Sequence, residues 1–226
     1  MKIQSWLQRV RHPYLTRRGA FPWPTRAHSM IGPQRLRNLR DLVERTLTDN
    51  IPGDYIETGV WRGGACILMR GVLAAHGVTD RKVIVSDSFE GLPRPDAAKY
   101  PADKRDRLFA FEELAVSVDQ VRKNFETYGL LDDQVVFLKG FFKDTLPTLP
   151  AHSRFALIRL DGDMYESTMD ALNGLYDKLS SGGYAIIDDY SGLKNCRQAV
   201  HDYLDQHRLK VDIHKIDDSG VWWQKP

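Results

Sequence analysis

Acidic side chains follow four predicted strands, at the residue where each strand ends. They are Glu57 in ETGVWRGG, Asp87 in VSDSFEGLP, Asp161 in LDGDMYES, and Asp188 and Asp189 in IIDDY. Parallel strands present their carboxyl ends at one edge of an α/β sheet, and ligands bind at that edge, so these carboxylates are predicted to share one site. Their order along the chain predicts a cofactor-binding half followed by a metal-binding half.

Three of these residues, Asp161, Asp188 and Asp189, are predicted to bind a divalent metal ion. Crowded carboxylates destabilise one another unless a cation neutralises them, and their oxygens are ligands that Mg²⁺ prefers. Neither His nor Cys accompanies them in ligand spacing, which argues against zinc. Asp163 and Glu166 are interpreted as helix-start residues, which the helix dipole favours, with a supporting role beside the metal as the alternative.

The motif ETGVWRGG closes one strand and opens a helix. Gly59 and Gly63 have GxxxG spacing, whereas the turn that binds a pyrophosphate has GxGxxG, so the motif favours a cofactor without phosphates. We expect the backbone at Gly59 to lie against the cofactor and Glu57 to hold its cationic amino-acid portion. The other predicted contacts are Thr58, Val60, Trp61 and Arg62. The alternative is a tight strand-to-helix turn without a ligand, with Trp61 packed against the sheet.

Asp87 ends the second predicted strand, where doubly wound folds place an acidic residue on ribose hydroxyls. Ser88 and Phe89 follow it and are predicted to belong to the same contact. Gly140 and Phe141, at the exit of the third strand, would offer backbone and an aromatic face to an adenine. Each residue taken alone is more typical of a turn or a core, and it is their joint placement that predicts a nucleoside site.

Strands that alternate with helices must position these residues. The apolar patterns predict strands over residues 54–60, 82–86, 134–139, 155–160 and 184–187. They also predict a closing hairpin of residues 210–216 and 221–224. The helix that starts near Tyr165 is expected to end at Gly182 and Gly183. The fold class is therefore α/β and Rossmann-like, a mostly parallel sheet with an antiparallel edge at its carboxyl end.

Residues 1–50 are interpreted as an N-terminal arm or lid followed by a helix, and residues 51–226 as the main domain. Residues 88–112 lack hydrophobic periodicity and contain three prolines, which predicts a long loop over the site. The net charge of +2 gives no reason to expect a nucleic-acid or membrane partner. Two cysteines and no apolar segment of membrane-spanning length favour a cytoplasmic protein. Exposed aromatic residues in the arm make a homodimer or higher homo-oligomer plausible.

Five segments taken together carry a family resemblance, from about residue 30 to the end of the chain. ETGVWRGG, DSFEGLP, FLKGFF with DTLP, LIRLDGDMYEST and IIDDY resemble the macrocin O-methyltransferase family. The resemblance implies a class I methyltransferase fold with a seven-stranded sheet. It also implies an enzyme that uses S-adenosylmethionine and Mg²⁺ to methylate deoxysugar hydroxyls on macrolides and related natural products.

The resemblance also assigns roles to individual residues. It places Mg²⁺ on Asp161, Asp188 and Asp189, and it makes Asp161 the catalytic base as well. The stretch with His28, Ser29 and Met30 looks like the family's lid, and Met30 is included among the cofactor contacts. His28 is kept as an alternative base.

Three other functions remain open at the level of sequence. The acceptor could be a catechol-like or other small-molecule hydroxyl instead of a glycosylated natural product. The alternating strands and the acidic second strand also fit an NAD(P)-dependent oxidoreductase, although the missing GxGxxG argues against it. A non-catalytic module that binds S-adenosylmethionine would retain the first two motifs, but it has no use for Asp161, Asp188 and Asp189.

Overall fold

The computed structural model of the protein describes residues 15–18 and 21–226. Two short strands, β1 (Leu15–Arg18) and β2 (Phe21–Pro24), pair antiparallel ahead of the main domain. The predicted arm is thus described only in its second half, and its first part lies outside the described residues.

A seven-stranded sheet forms the centre of the domain, in the order β5-β4-β3-β6-β7-β9-β8. The first five of these strands run parallel, and β9 is antiparallel to both β7 and β8. This arrangement confirms the predicted fold class and the closing hairpin. The strands are β3 (Asp54–Thr58), β4 (Val83–Asp87), β5 (Val135–Lys139), β6 (Phe155–Leu160), β7 (Leu179–Ile187), β8 (His214–Lys215) and β9 (Val221–Gln224).

Helices cover both faces of the sheet. They are α1 (Gly32–Thr48), α2 (Gly64–Ala75), α3 (Val118–Thr127), α4 (Phe142–Thr145), α5 (Tyr165–Leu175) and α6 (Lys194–Gln206). Buried residues of α1, α2 and α3, such as Leu39, Met69 and Phe125, form a core on one face. Leu172 of α5 and Val200 of α6 belong to the core on the other face. Burying each such side chain contributes about 1.5–3 kcal/mol, so the sheet is stabilised from both sides.

The central strand β6 is buried along its whole length. This is the expected state of a parallel strand covered on both faces, and it explains the apolar sequence FALIRL. The exception in that sequence is Arg159, whose side chain lies inside the protein with 1% of its surface exposed. A buried guanidinium needs anionic partners, and it finds them at the site described below.

The predicted end of the helix after β6 was wrong. Helix α5 ends at Leu175, a short 3₁₀ turn follows at Tyr176–Lys178, and β7 begins at Leu179. Gly182 and Gly183 therefore lie inside β7, at an irregularity in its pairing with β6. Gly182 has φ +78°, a backbone conformation that glycine adopts without strain, and its N–H donates to the Lys225 carbonyl at 2.8 Å. The glycine pair bends a strand here; it does not cap a helix.

The long connection between β4 and α3, residues 88–117, contains short 3₁₀ turns at Pro101–Asp103, Leu108–Ala110 and Glu112–Leu114. It is referred to below as the 88–117 loop. Its last residue, Ser117, accepts a hydrogen bond from the Gln120 N–H at 3.3 Å and so caps α3, as the spacing of these two residues predicts. Within residues 15–18 and 21–226, none of the helices has the length and apolar composition needed to span a bilayer.

Candidate active site

A cavity opens at the carboxyl ends of the parallel strands. Its wall is formed by the turns after β3, β4, β5 and β6, together with the first turns of α5 and parts of the 88–117 loop. The predicted site residues in this wall are Met30, Gly59, Trp61, Asp87, Ser88, Phe141 and Asp161. The fold thus brings both halves of the predicted site to a single cavity.

The turn after β3 passes unusually close to the end of β6. Gly59 has φ +85°, and a Cβ atom built on it would lie 1.8 Å from the backbone oxygen of Asp161. Only glycine allows the two strand ends to approach this closely. The close approach places the predicted cofactor turn directly beside the acidic segment that follows β6.

Asp87 is held at the end of β4 by backbone donors. One carboxylate oxygen accepts the Val60 N–H at 2.8 Å, and the other accepts the Phe89 N–H at 2.7 Å. Burial raises the pKa of Asp87, and these N–H groups oppose that shift because they favour the charged form. Asp87 also belongs to the cavity wall, where a carboxylate can accept hydrogen bonds from hydroxyl groups of a ligand.

Arg159 joins carboxylates from three neighbouring strands. Its guanidinium forms ion pairs with Glu57 in β3, with Asp161 at 2.8 Å and with Asp188 after β7. Arg35 of α1 forms a second ion pair with Asp188. This buried network binds the ends of β3, β6 and β7 to one another beneath the cavity.

Glu57 lies inside this network, and within the described residues it is not part of the cavity wall. Besides the ion pair with Arg159, it accepts a hydrogen bond from the Cys66 thiol at 2.9 Å. Burial raises the pKa of Glu57 to about 7, with Arg159 acting in the opposite direction. Glu57 was predicted to hold the cofactor's amino-acid portion, but in this structure its carboxylate contacts other residues of the protein.

Three carboxylates lie close together: Asp161 and Asp163, which belong to the cavity wall, and Asp189 beside them. One oxygen atom from each lies within 4.8 Å of the others. Oδ2 of Asp189 is buried and has no hydrogen-bond partner among the described residues. Burial and the neighbouring acid Asp161 raise the pKa of Asp163 to about 8, and burial raises that of Asp189 as well. A hard divalent cation fits such a group, because it would pair the orphaned oxygen and relieve the repulsion.

This acidic group differs in one member from the predicted metal ligands Asp161, Asp188 and Asp189, which remain a prediction. Asp163 joins Asp161 and Asp189, whereas Asp188 points to Arg159 and Arg35. Asp188 and Asp189 are successive residues in the bend after β7, and their carboxylates have different neighbours in this conformation. Asp163 reaches the group because the chain turns sharply there, with φ +59° at this residue.

Several other predicted contacts serve the structure around the cavity. The Phe89 side chain is buried in the core against Phe137. The Gly140 N–H donates to the Asp87 carbonyl at 2.9 Å, which fixes the exit of β5 beside that of β4. Thr58 is fully buried, and its hydroxyl has no hydrogen-bond partner within the described part of the chain.

Arg62 and His28 fasten the segment ahead of α1 to the domain. The Arg62 guanidinium lies 4.2 Å from the centre of the Trp61 ring and donates to the Pro24 carbonyl at 3.0 Å. The His28 carbonyl accepts the Gly64 N–H at 2.8 Å, and its ring packs edge-on against Tyr128. These contacts bring Met30 to the cavity wall, while His28, the alternative base, lies outside that wall.

A sequence model of the family described as Macrocin-O-methyltransferase (TylF) matches residues 4–225. The chain belongs to this family. It is therefore an S-adenosylmethionine-dependent O-methyltransferase of the class I fold, as the resemblance predicted. The alternatives of a nicotinamide-dependent oxidoreductase and a non-catalytic module are thereby excluded.

Two curated relatives and one solved structure show how close the similarity is. The chain is 55% identical over 203 residues to the 8-demethyl-8-(2,3-dimethoxy-alpha-L-rhamnosyl)-tetracenomycin-C 4'-O-methyltransferase of Streptomyces olivaceus, covering 89% of this chain and 77% of that protein. It is 52% identical to the Mycinamicin III 3''-O-methyltransferase of Micromonospora griseorubida, covering 90% and 80% of the two chains. The O-methyltransferase NovP matches with a TM-score of 0.88 and 51% identity, over 90% of this chain and 84% of that chain.

The structure of this family member adds residues that the sequence patterns did not identify. The sequence does indicate a role for Arg159, since an arginine inside an otherwise apolar strand requires charged partners. It does not indicate the roles of Arg35 and Asp103, because the residues that they contact lie far away in the sequence. Phe142 and Lys143 also line the cavity, and only the path of the chain after β5 brings them there.

Proposed function

We propose that this methyltransferase transfers a methyl group to a hydroxyl of a sugar carried by a natural product, with Mg²⁺ bound at the acidic group. The observation that carries the proposal is that Asp161, Asp163 and Asp189 lie close together, with Asp161 and Asp163 in the same cavity wall as Gly59 and Asp87. The relatives named for a tetracenomycin rhamnoside and for mycinamicin III support a glycosylated acceptor.

The donor is expected to lie along the turns after β3, β4 and β5. Asp87 would accept hydrogen bonds from the ribose hydroxyls, and the Phe141 ring would pack against the adenine. Gly59 and Trp61 would contact the amino-acid portion through the backbone and the indole face. Bound S-adenosylmethionine supplies an electrophilic methyl group, and the role of these residues is to direct it toward the acidic group.

Asp161, Asp163 and Asp189 would hold the metal ion in the conformation that the structure shows. Asp188 remains a ligand predicted by the resemblance, but its carboxylate is shared here by Arg159 and Arg35. A divalent cation bound at this group would orient the acceptor hydroxyl and stabilise the negative charge that develops on its oxygen.

A carboxylate must accept the proton that the acceptor hydroxyl loses. Asp161 is the base implied by the resemblance, and it lies in the cavity wall with Arg159 fixing one of its oxygens at 2.8 Å. Asp163 is a second candidate, because its carboxylate lies in the same cavity wall beside Asp161. Replacing each residue separately by asparagine would separate the two roles through the pH dependence of kcat.

The remaining cavity wall suits an amphipathic acceptor. Leu92, Pro93 and Leu114 of the 88–117 loop provide apolar surface. Glu166 and Asp170, one turn apart on α5, provide hydrogen-bond acceptors. A sugar presents both hydroxyl groups and apolar C–H faces, so it can use both kinds of surface.

Methyl transfer from labelled S-adenosylmethionine tests the proposal. The purified protein with Mg²⁺ is incubated separately with four acceptors: mycinamicin III, the tetracenomycin rhamnoside, catechol, and demethyldecarbamoylnovobiocin, for which a further relative of 52% identity is named. We expect label in at least one of the three glycosides, little in catechol, and loss of transfer in EDTA that added Mg²⁺ restores. Label in catechol with none in any glycoside would contradict the sugar acceptor, and full turnover in EDTA would contradict the metal.

A further inference from the structure

Asp103, in the middle of the 88–117 loop, is a fully buried carboxylate that lies outside the cavity wall. One of its oxygens accepts the Tyr165 N–H at 2.8 Å, and the other accepts the Glu166 N–H at 2.9 Å. These are the first two N–H groups of α5, which have no partner within the helix. The residue before them, Met164, has no side-chain oxygen with which to cap them. A residue distant in sequence therefore caps this helix.

The same carboxylate also contacts α6. Asn195, in the first turn of that helix, donates to Asp103 at 2.9 Å. Close by, the Tyr100 ring packs at 5.9 Å from the Tyr165 ring, which extends the contact between the loop and α5. The loop is thus attached to the beginnings of two helices that directly follow the acidic segments after β6 and β7.

Both sides of this connection form the cavity wall. On the loop side the wall contains Leu92, Pro93 and Leu114, and on the helix side it contains Glu166 and Asp170. Asp103 connects the loop to the first turn of α5, which carries the helix side of this wall. The donor residues Gly59 and Asp87 belong to other turns, which Asp103 does not contact.

We propose that Asp103 is a positioning residue that holds the 88–117 loop against α5 and α6 and so preforms the acceptor-binding part of the cavity. The proposal rests on the proposed function for its assignment of the acceptor side. It predicts that loss of the Asp103 carboxylate weakens acceptor binding while the donor still binds normally.

The test compares Asp103→Asn and Asp103→Ala with the control Asp96→Ala. Asp96 is an exposed residue of the same loop, and it accepts N–H groups only from Ala98 and Lys99, so its bonds stay within the loop. In both Asp103 variants we expect the KM for the acceptor glycoside to rise about tenfold or more. The kcat and the affinity for S-adenosylhomocysteine should change less than about threefold. Tryptic cleavage after the exposed Lys104 and Arg105 should also become faster, and the Asp96 control should resemble the wild type.

Two results would overturn the proposal. One is a KM and a cleavage rate in Asp103→Ala that equal those of the wild type. The other is a loss of S-adenosylhomocysteine affinity equal to the loss of acceptor affinity, which would indicate a general role in folding. If Asp103→Ala does not fold, Asn195→Ala removes one donor and leaves the α5 cap intact. Asn195→Ala should raise the KM for the acceptor and the rate of tryptic cleavage, each by less than we expect for Asp103→Ala. A KM and a cleavage rate equal to those of the wild type would overturn the proposal.

The outcome is distinguishable from a failure of the proposed function. If the wild type methylates none of the glycosides, the proposed acceptor is wrong. Tryptic cleavage and S-adenosylhomocysteine binding then still decide whether Asp103 holds the loop independently of the donor site.

Discussion

At Gly59 the chain passes so close to the end of β6 that no side chain fits between them. A Cβ atom would lie 1.8 Å from the Asp161 carbonyl oxygen, and φ is +85°. The contact links the predicted donor turn to the acidic group, so a single residue type determines how near the two halves of the site lie. The GxxxG spacing identified Gly59 from the sequence, but the neighbour that requires glycine is visible only in the folded chain.

We predict that Gly59→Ala strongly destabilises the protein, because the new methyl group must displace the backbone of β6. Chemical denaturation should show a loss of about 4 kcal/mol or more in the free energy of unfolding. Gly77→Ala is the matched control: its φ is also positive, at +66°, but no atom lies within 4 Å of the added Cβ. This control should lose about 1 kcal/mol from backbone strain alone. Equal losses in the two variants would contradict the close packing at Gly59.

Glu57 leads to a prediction of how stability depends on pH. Its pKa rises from 4.5 in the unfolded chain to about 7 in the folded protein, chiefly because of burial. Between these values the folded protein binds more protons than the unfolded chain, so this residue makes the free energy of unfolding fall as pH rises. In metal-free buffer, Glu57→Gln should show a smaller decrease across this range than the wild type. The exposed Glu90→Gln should match the wild type, and an identical pH profile for Glu57→Gln would refute the prediction.

Among the secondary-structure elements, α1 is attached to the carboxyl-terminal hairpin by side chains as well as by its apolar face. Arg35 forms ion pairs with Asp188 and, at 2.9 Å, with Asp217 in the turn before β9. Gln34 donates to the Ile216 carbonyl nearby. The helix therefore supports the segment after β7 that carries Asp188 and Asp189, although its own sequence shows only an amphipathic pattern.

Arg35→Met should loosen this attachment, since it leaves Asp188 with one cationic partner in a buried position. We expect a loss of about 3 kcal/mol in the free energy of unfolding and faster hydrogen exchange in α1 and in the turn at residues 217–220. Arg40→Met on the same helix removes an exposed ion pair with Asp41 and should cost less than about 1 kcal/mol. If both variants unfold at the same denaturant concentration, Arg35 does not have this role.

The sequence predicted the elements well where a period or a turn was clear. The strand at residues 155–160 agrees with β6 at both ends, and Ser117 caps α3, as its spacing from Gln120 indicates. The error at Gly182 arose because a glycine pair after an apolar helical pattern is typical of a helix end, while here a strand accommodates it. The positions of the acidic segments at strand ends also predicted that they lie at one edge of the sheet. The direction of each side chain, as at Asp188, depends on contacts with residues distant in the sequence.

On the scale of the whole molecule, one face of the sheet stabilises the donor turn and the other stabilises the acidic group. The Gly59 turn leads into α2 of the first core, and Asp161 and Asp189 precede α5 and α6 of the second. Below the cavity, the positive charge of Arg159 pairs with the carboxylates of Glu57, Asp161 and Asp188. This arrangement explains how a chain of 226 residues can hold a crowded group of carboxylates at an open site.

Calorimetric titration of Mg²⁺ into the protein saturated with S-adenosylhomocysteine tests the central claim, that Asp161, Asp163 and Asp189 form a cation site beside the donor. For the wild type we predict a saturable, single-site binding curve that is lost in Asp189→Asn, while S-adenosylhomocysteine binds both proteins with similar affinity. An unchanged Mg²⁺ curve in Asp189→Asn, or no saturable binding to the wild type, would contradict the account.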